Sequence, residues 1–217
     1  MEPVGLAIGV AGALSQVLDC FEYVYLARTF PDSYQSNLLK LDAARLRLSR
    51  WGSSINWDEI GQSDKDKAHE FLEHIWRLFG KVKKMSAEFA NDHPEEASKA
   101  ASLEHSKGLD KIADILHEKM RNLSLKRQPT KNYLKTTKWA IYTQEHMNTL
   151  VDNITSHTND LVELFPAAEE KQEVLCQVEM FDFLETLRVL NATIKSQDHM
   201  LSEKLSQLIE PTVCCLN

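Results

Sequence analysis

A chain of 217 residues and 24.8 kDa, 43% hydrophobic and 26% charged, is long enough to bury a substantial core, and its 7 glycines and 6 prolines argue for helices joined by few tight turns. The net charge of -7 weighs against a general nucleic-acid binder. Cys20, Cys176, Cys214 and Cys215 show neither a paired framework nor metal-ligand spacing, so a reducing, cytoplasmic setting without disulfides is expected.

Residues Val4 to Leu18 read VGLAIGVAGALSQVL, fifteen residues without a charge. As a helix they would rise about 22 Å, short of the roughly 30 Å hydrocarbon core of a bilayer. Extension through Tyr23, Val24, Tyr25 and Leu26 reaches spanning length only by taking Asp19 and Glu22 into the membrane, which is costly unless they pair or face water. An N-terminal apolar helix over 4–26 is therefore expected, but not a constitutive anchor. Glu2, with no basic stretch before the run, argues against a secretory signal. Gly5, Gly9 and Ala13 place small side chains on one helix face, where a second backbone can approach closely. Soluble helices seldom keep interior glycines, which cost about 1 kcal/mol each relative to alanine. The run reads either as a buried core helix or as a segment buried at rest and released to membranes. In the second reading Val4, Gly5, Leu6, Ile8, Gly9, Val10, Gly12, Ala13, Leu14, Val17 and Leu18 insert; both readings share one resting structure.

Beyond this run, Pro31-Asp32-Ser33 opens a helix in which Leu38, Leu41, Arg45, Leu48 and Trp51 recur at helical spacing. Ala68, Phe71, Leu72, Ile75, Phe79, Val82 and Phe89 form a second stripe. Turn formers and first-turn acids in Asn91-Asp92-His93-Pro94-Glu95-Glu96 predict another start, with Leu109, Ile112, Ala113, Leu116, Met120 and Leu123 on its later apolar face. A break falls at Gln128-Pro129-Thr130. Met147, Leu150, Val151, Ile154, Thr158, Leu161, Val162 and Phe165 make the cleanest stripe, stopped by Pro166. Val174, Val178, Phe181, Leu184, Ile194, Leu201, Leu205 and Leu208 predict a last long helix or helix pair. The pattern, without repeats or low-complexity linkers, predicts an all-α, single-domain bundle of about six to eight helices.

Lys119, Arg121, Lys126, Arg127, Lys131, Lys135 and Lys138 form a basic run without an acid, whereas Asp160 to Glu185 is acidic with only Lys171 opposing. The basic run reads as a solvated or internally paired face, as one that meets anionic lipid headgroups, or as one that meets nucleic acid, the last weakened by the net acidity. His69-Glu70-Phe71-Leu72-Glu73-His74 misses both zinc-helix spacings, because HExxH needs histidine at 73 and HxxEH needs it at 70. No Walker A, GxGxxG, GxSxG or CxxC occurs, so no catalytic residue, cofactor or metal is expected and the chain is not read as an enzyme. Cys214-Cys215-Leu216-Asn217 has only the outline of a prenylation box, since asparagine is not a typical last residue.

Asp19-Cys20-Phe21-Glu22-Tyr23-Val24, the stretch Leu39 to Gly52 (LKLDAARLRLSRWG), Lys138-Trp139-Ala140-Ile141-Tyr142, Leu150-Val151-Asp152-Asn153-Ile154 and Asp160 to Pro166 (DLVELFP) resemble the HeLo domain of fungal heterokaryon-incompatibility prion proteins. The resemblance runs from the N-terminus to Pro166 and continues more loosely beyond it, implying a HeLo-like helical domain over 1–210 and a tail over 211–217. It implies a cell-death domain, soluble and cytoplasmic at rest, that releases its N-terminal segment to permeabilise membranes when a neighbouring segment becomes amyloid. Membrane lipids, a homo-dimer or oligomer and an amyloid-bearing or signalling protein are the implied partners. Asp19 and Glu22 would resist insertion or line a pore, and with Thr29 they form the implied switch region. Two departures qualify this: only Glu210 to Val213 and the cysteines follow the last expected helix, and Thr29 matches neither the toxic nor the prion-forming allelic form of the family. The alternative is a non-toxic protein-interaction or regulatory module with the same fold.

Overall fold

The helical stripes become seven helices in the computed structural model, which describes residues 9–26, 31–102, 111–129, 139–165 and 169–194 together with 203 and 206. In chain order these are α1 (Val10–Tyr23), strand β1 (Val24–Leu26), α2 (Pro31–Ser54), α3 (Gln62–Asp92), α4 (Pro94–Ser102), α5 (Lys111–Lys126), strand β2 (Trp139–Ile141), α6 (Gln144–Leu164) and α7 (Glu169–Ile194). The all-α class and the helix number agree with the sequence pattern.

Local chemistry explains the boundaries. Prolines open α2 and α4, where a missing N–H costs no helix bond and the fixed φ suits the first turn. Glu95 and Glu96 then sit at the positive end of α4. Thr143 caps α6, its Oγ1 accepting from the His146 N–H at 3.2 Å. The expected helix over 4–26 is corrected at its C-terminal end. α1 stops at Tyr23 because Val24-Tyr25-Leu26, β-branched and aromatic, takes extended backbone (Val24 φ -88°, ψ 129°). These residues pair in parallel with the second short strand, Val24 opposite Trp139, Tyr25 opposite Ala140 and Leu26 opposite Ile141.

Chain contacts divide the protein into two compact units, residues 1–172 and 173–217. In the first, α1 and α6 both pack on α3, and α2 packs on α5 and α6. Leu14, Leu18, Leu48, Trp51, Leu72, Ile75, Phe79, Met147, Leu150, Ile154 and Leu161 are fully buried in one core. Trp51 meets Trp57 edge-on at 5.6 Å and lies tilted on Phe165 at 5.8 Å. In the second unit, Val174, Val178 and Phe181 of α7, from the stripe that predicts the last helix, are exposed. Among the described residues no helix is long and apolar enough to cross a membrane, and no group of three or more histidine, cysteine or carboxylate side chains is placed to hold a metal.

Candidate functional site

α1 carries two kinds of face. Val10, Ala13, Leu14, Val17, Leu18 and Phe21 recur at helical spacing and are buried against α3 and α2. Fully burying Leu14, Val17 and Leu18 contributes about 1.5–3 kcal/mol each. Phe21 meets Phe79 of α3 edge-on at 4.9 Å. The closest approach is set from the other side of the contact: a Cβ added at Gly52 of α2 would stand 2.1 Å from Leu14 Cδ2. Gly52, which the sequence marked only as the end of the Leu39 to Gly52 stretch of resemblance, is therefore the small residue that seats α1 in the resting fold. Gly9 is the exposed N-cap of α1, and an added Cβ there would touch nothing within 4 Å; the helix–helix contact expected of it belongs to the inserted state. Ala13 is buried and Gly12 half-buried, while Val4, Gly5, Leu6 and Ile8 lie outside the described residues.

A neighbouring face of α1 presents Ser15, Asp19 and Glu22 to a polar cluster. Arg121 of α5 grips Glu22 with two nitrogens, Nη2 to Oε2 at 2.6 Å and Nε to Oε1 at 3.0 Å, and buried Arg45 of α2 also donates to Glu22 Oε1. Gln128, just after α5, donates to Asp19 Oδ1 at 2.6 Å and to the Ser15 carbonyl at 3.3 Å. Asp42 of α2 and His117 of α5 complete the cluster, with His117 Nδ1 2.7 Å from Asp42 Oδ2. Asp19 Oδ2 and Arg45 Nε and Nη2 are buried without a hydrogen-bond partner among the described residues.

The electrostatics follow from this geometry. Burial alone would raise Glu22, but the hydrogen bonds and charges of Arg121 and Arg45 overcome it and hold the carboxyl below its ordinary value. Asp19 is raised by burial, which the Gln128 hydrogen bond only partly offsets. Burial also raises Asp42 against the hydrogen bond of His117, and that same hydrogen bond raises His117. Both partners are thus shifted upward from their ordinary values, and the two titrate as a coupled pair. In the cluster, three carboxyl groups, Asp19, Glu22 and Asp42, face two guanidinium groups, Arg45 and Arg121, and the His117 ring. Beside it, burial pushes the Cys20 thiol up to about 12, so it stays protonated and inert.

The structure redistributes the basic run. Arg121 turns inward to Glu22, which corrects its expected place on a lipid-facing surface: two opposed carboxylate oxygens outcompete solvent for a planar guanidinium. Lys126 is exposed, and Lys119 and Arg127 are half-buried with partners of their own. Lys131, Lys135 and Lys138, like Thr29 of the expected switch region, lie outside the described residues. Asp42, Arg45, His117 and Gln128 were missed as site residues. Arg45 carried a signal, being a charge within an apolar stripe, and buried charges need partners.

Comparisons with known proteins place this arrangement. The family described as HeLo, prion-inhibition and propagation, matches residues 5–199. Heterokaryon incompatibility protein s of Podospora anserina is 31% identical, over 98% of this chain and 76% of its own length. Heterokaryon incompatibility protein S of the same fungus is 30% identical, over 98% of this chain and 75% of its own. The solved HET-S N-terminal domain superposes with a TM-score of 0.69 at 27% identity, covering 94% of this chain and 95% of that one. A mutant HET-s N-terminal domain also gives 0.69, at 25% identity over 93% of this chain and 99% of its own. α1 and its polar cluster therefore sit within a shared fold, and the chain belongs to the HeLo family of prion-inhibition and propagation proteins.

Proposed function

We propose that this chain is a non-enzymatic cell-death domain that keeps its N-terminal apolar segment buried at rest and, when triggered, releases it to permeabilise a membrane. The observation that carries the reading is the burial of Val10, Ala13, Leu14, Val17 and Leu18, the apolar side chains of an uncharged run that sequence alone marks as membrane-compatible. α1 is about 21 Å long at about 1.5 Å per residue, so it spans only with the residues before it, or acts as an oligomer that thins the bilayer. Release exposes Asp19 and Glu22 together with the apolar stripe. Acids of this kind are tolerated in lipid when they line a wet lumen shared by several copies. In this reading an amyloid-bearing or signalling partner supplies the trigger, Lys126 and the basic residues that follow it meet anionic headgroups, and the protein moves from the cytoplasm to the membrane.

Dye release from anionic liposomes tests the reading. The intact chain should leak only under mild thermal or denaturant stress, and a chain lacking residues 1–18 should not leak at all. Leakage that persists without those residues would remove α1 from the mechanism. Its absence in both chains would leave a HeLo-fold interaction module with α1 as ordinary core.

A further inference from the structure

We infer that α5 is an autoinhibitory clamp on α1: Arg121 and Gln128 hold Glu22 and Asp19 in the resting fold, and loss of these side-chain contacts is the step that frees the helix. The inference rests on the membrane reading above and names the contact that restrains it. α5 packs along α2 and reaches α1 through long polar side chains, the two-nitrogen grip of Arg121 on Glu22 and the Gln128 bonds to Asp19 and to the Ser15 carbonyl.

Apolar burial discriminates poorly between the resting and the released helix. Lipid hydrocarbon accepts Leu14, Val17 and Leu18 about as well as a protein core does, so that contribution nearly cancels on transfer. The polar contribution does not cancel, because a carboxylate moved toward lipid leaves its arginines behind. The bonds to α2 and α5 thus separate the two states. Arg45 belongs to α2, whose Leu48 and Trp51 are fully buried in the core, and its own side chain is 3% exposed. Arg121 is 36% exposed, on a helix that buries Ala113, Met120 and Leu123 but leaves Ile115 outside. Arg45 is thus the buried grip on Glu22 and Arg121 the more exposed one, carried by a helix that packs closely along α2.

The test follows amide hydrogen exchange in α1, α3 and α6 of the full chain in water, with leakage from anionic liposomes read separately. Arg121→Glu should speed exchange across α1 by about tenfold or more while α3 and α6 stay protected. Gln128→Ala, which removes only hydrogen bonds, should act in the same direction more weakly and remains informative if Arg121→Glu does not fold. Arg121→Lys, which keeps the charge, should stay near wild type. Lys81→Glu, an equal charge change on an exposed position of α3, should leave α1 unchanged. Unchanged α1 exchange in both clamp variants, loosening shared equally by α3 and α6, or an equal effect of Lys81→Glu would overturn the clamp. Selective loosening of α1 with leakage at rest supports both readings; selective loosening without leakage under any condition keeps the clamp and rejects the membrane role.

Discussion

An added methyl group at Gly52 would stand 2.1 Å from Leu14 Cδ2, and Leu14 has no exposed surface into which it can turn. Overpacking of this kind costs about 1–3 kcal/mol, against which alanine's better helix propensity returns about 1 kcal/mol. Gly52→Ala should therefore lower stability by up to about 2 kcal/mol in urea unfolding, and a variant as stable as wild type would mean that α1 reseats freely. The paired side chains make pH predictions of opposite sign. His117 is held above 6.5 by its hydrogen bond to Asp42, with Glu118 and Arg121 also nearby. Its contribution is complete below about pH 6.5 and is lost as the pH climbs through the raised native value, so His117→Gln should flatten the alkaline-side fall of the urea midpoint. Glu22 is held below 4.5; its contribution is present above that pH and is lost as the pH falls through the depressed native value. Asp19 and Asp42, raised by burial, take up protons earlier and favour the native state as they do so. Mild acid should leave the cluster closed, and Glu22→Gln should remove the steep decline at lower pH. Of these residues Glu22 and Asp19 were legible in sequence as acids beside an apolar run. Their partners were not, because Arg121 and Gln128 lie roughly a hundred positions away and only the packing of α5 on α2 brings them in.

At the scale of the helix, α1 contains its own reporter. Cys20 is held as a protonated thiol in the resting state, whereas Cys176 on α7 is exposed. Peptide-resolved alkylation should label Cys176 quickly and Cys20 slowly at rest, and conditions that release α1 should bring the two rates together. Rapid labelling of Cys20 in the unstressed protein would mean that α1 is already mobile. Gly9 offers a second separation. Its N-cap backbone, φ -62° and ψ 166°, suits any residue and its surroundings are open, so Gly9→Leu should change resting stability by no more than about 1 kcal/mol. Impaired oligomer assembly in lipid by the same variant would then report on the small-residue face alone. Helix positions were largely legible because stripes such as Leu72, Ile75, Phe79 and Val82 are locally encoded and proved buried. The end of α1 was not, since β1 exists only by pairing with Trp139 to Ile141 far along the chain.

For the whole molecule, periodicity identified apolar faces but not the faces they meet. Val174, Val178 and Phe181 share the spacing of a core stripe yet are 56%, 48% and 40% exposed. Phe181→Ser should accordingly shift the urea midpoint by no more than the equivalent of about 0.5 kcal/mol, and a loss of several kcal/mol would show that this stripe is structural. The short parallel pair, meanwhile, gives the molecule a mechanical direction. Val24 to Leu26 is fastened at three registered positions immediately behind α1, while the helix begins at an exposed glycine where an added Cβ would meet nothing within 4 Å. Tension applied at Gly9 should peel α1 one turn at a time, whereas tension applied through Val24 should load three pairings together, so a single-molecule pull from the front is expected to open the helix at lower force than one through the strand. α1 is a lever hinged at its rear.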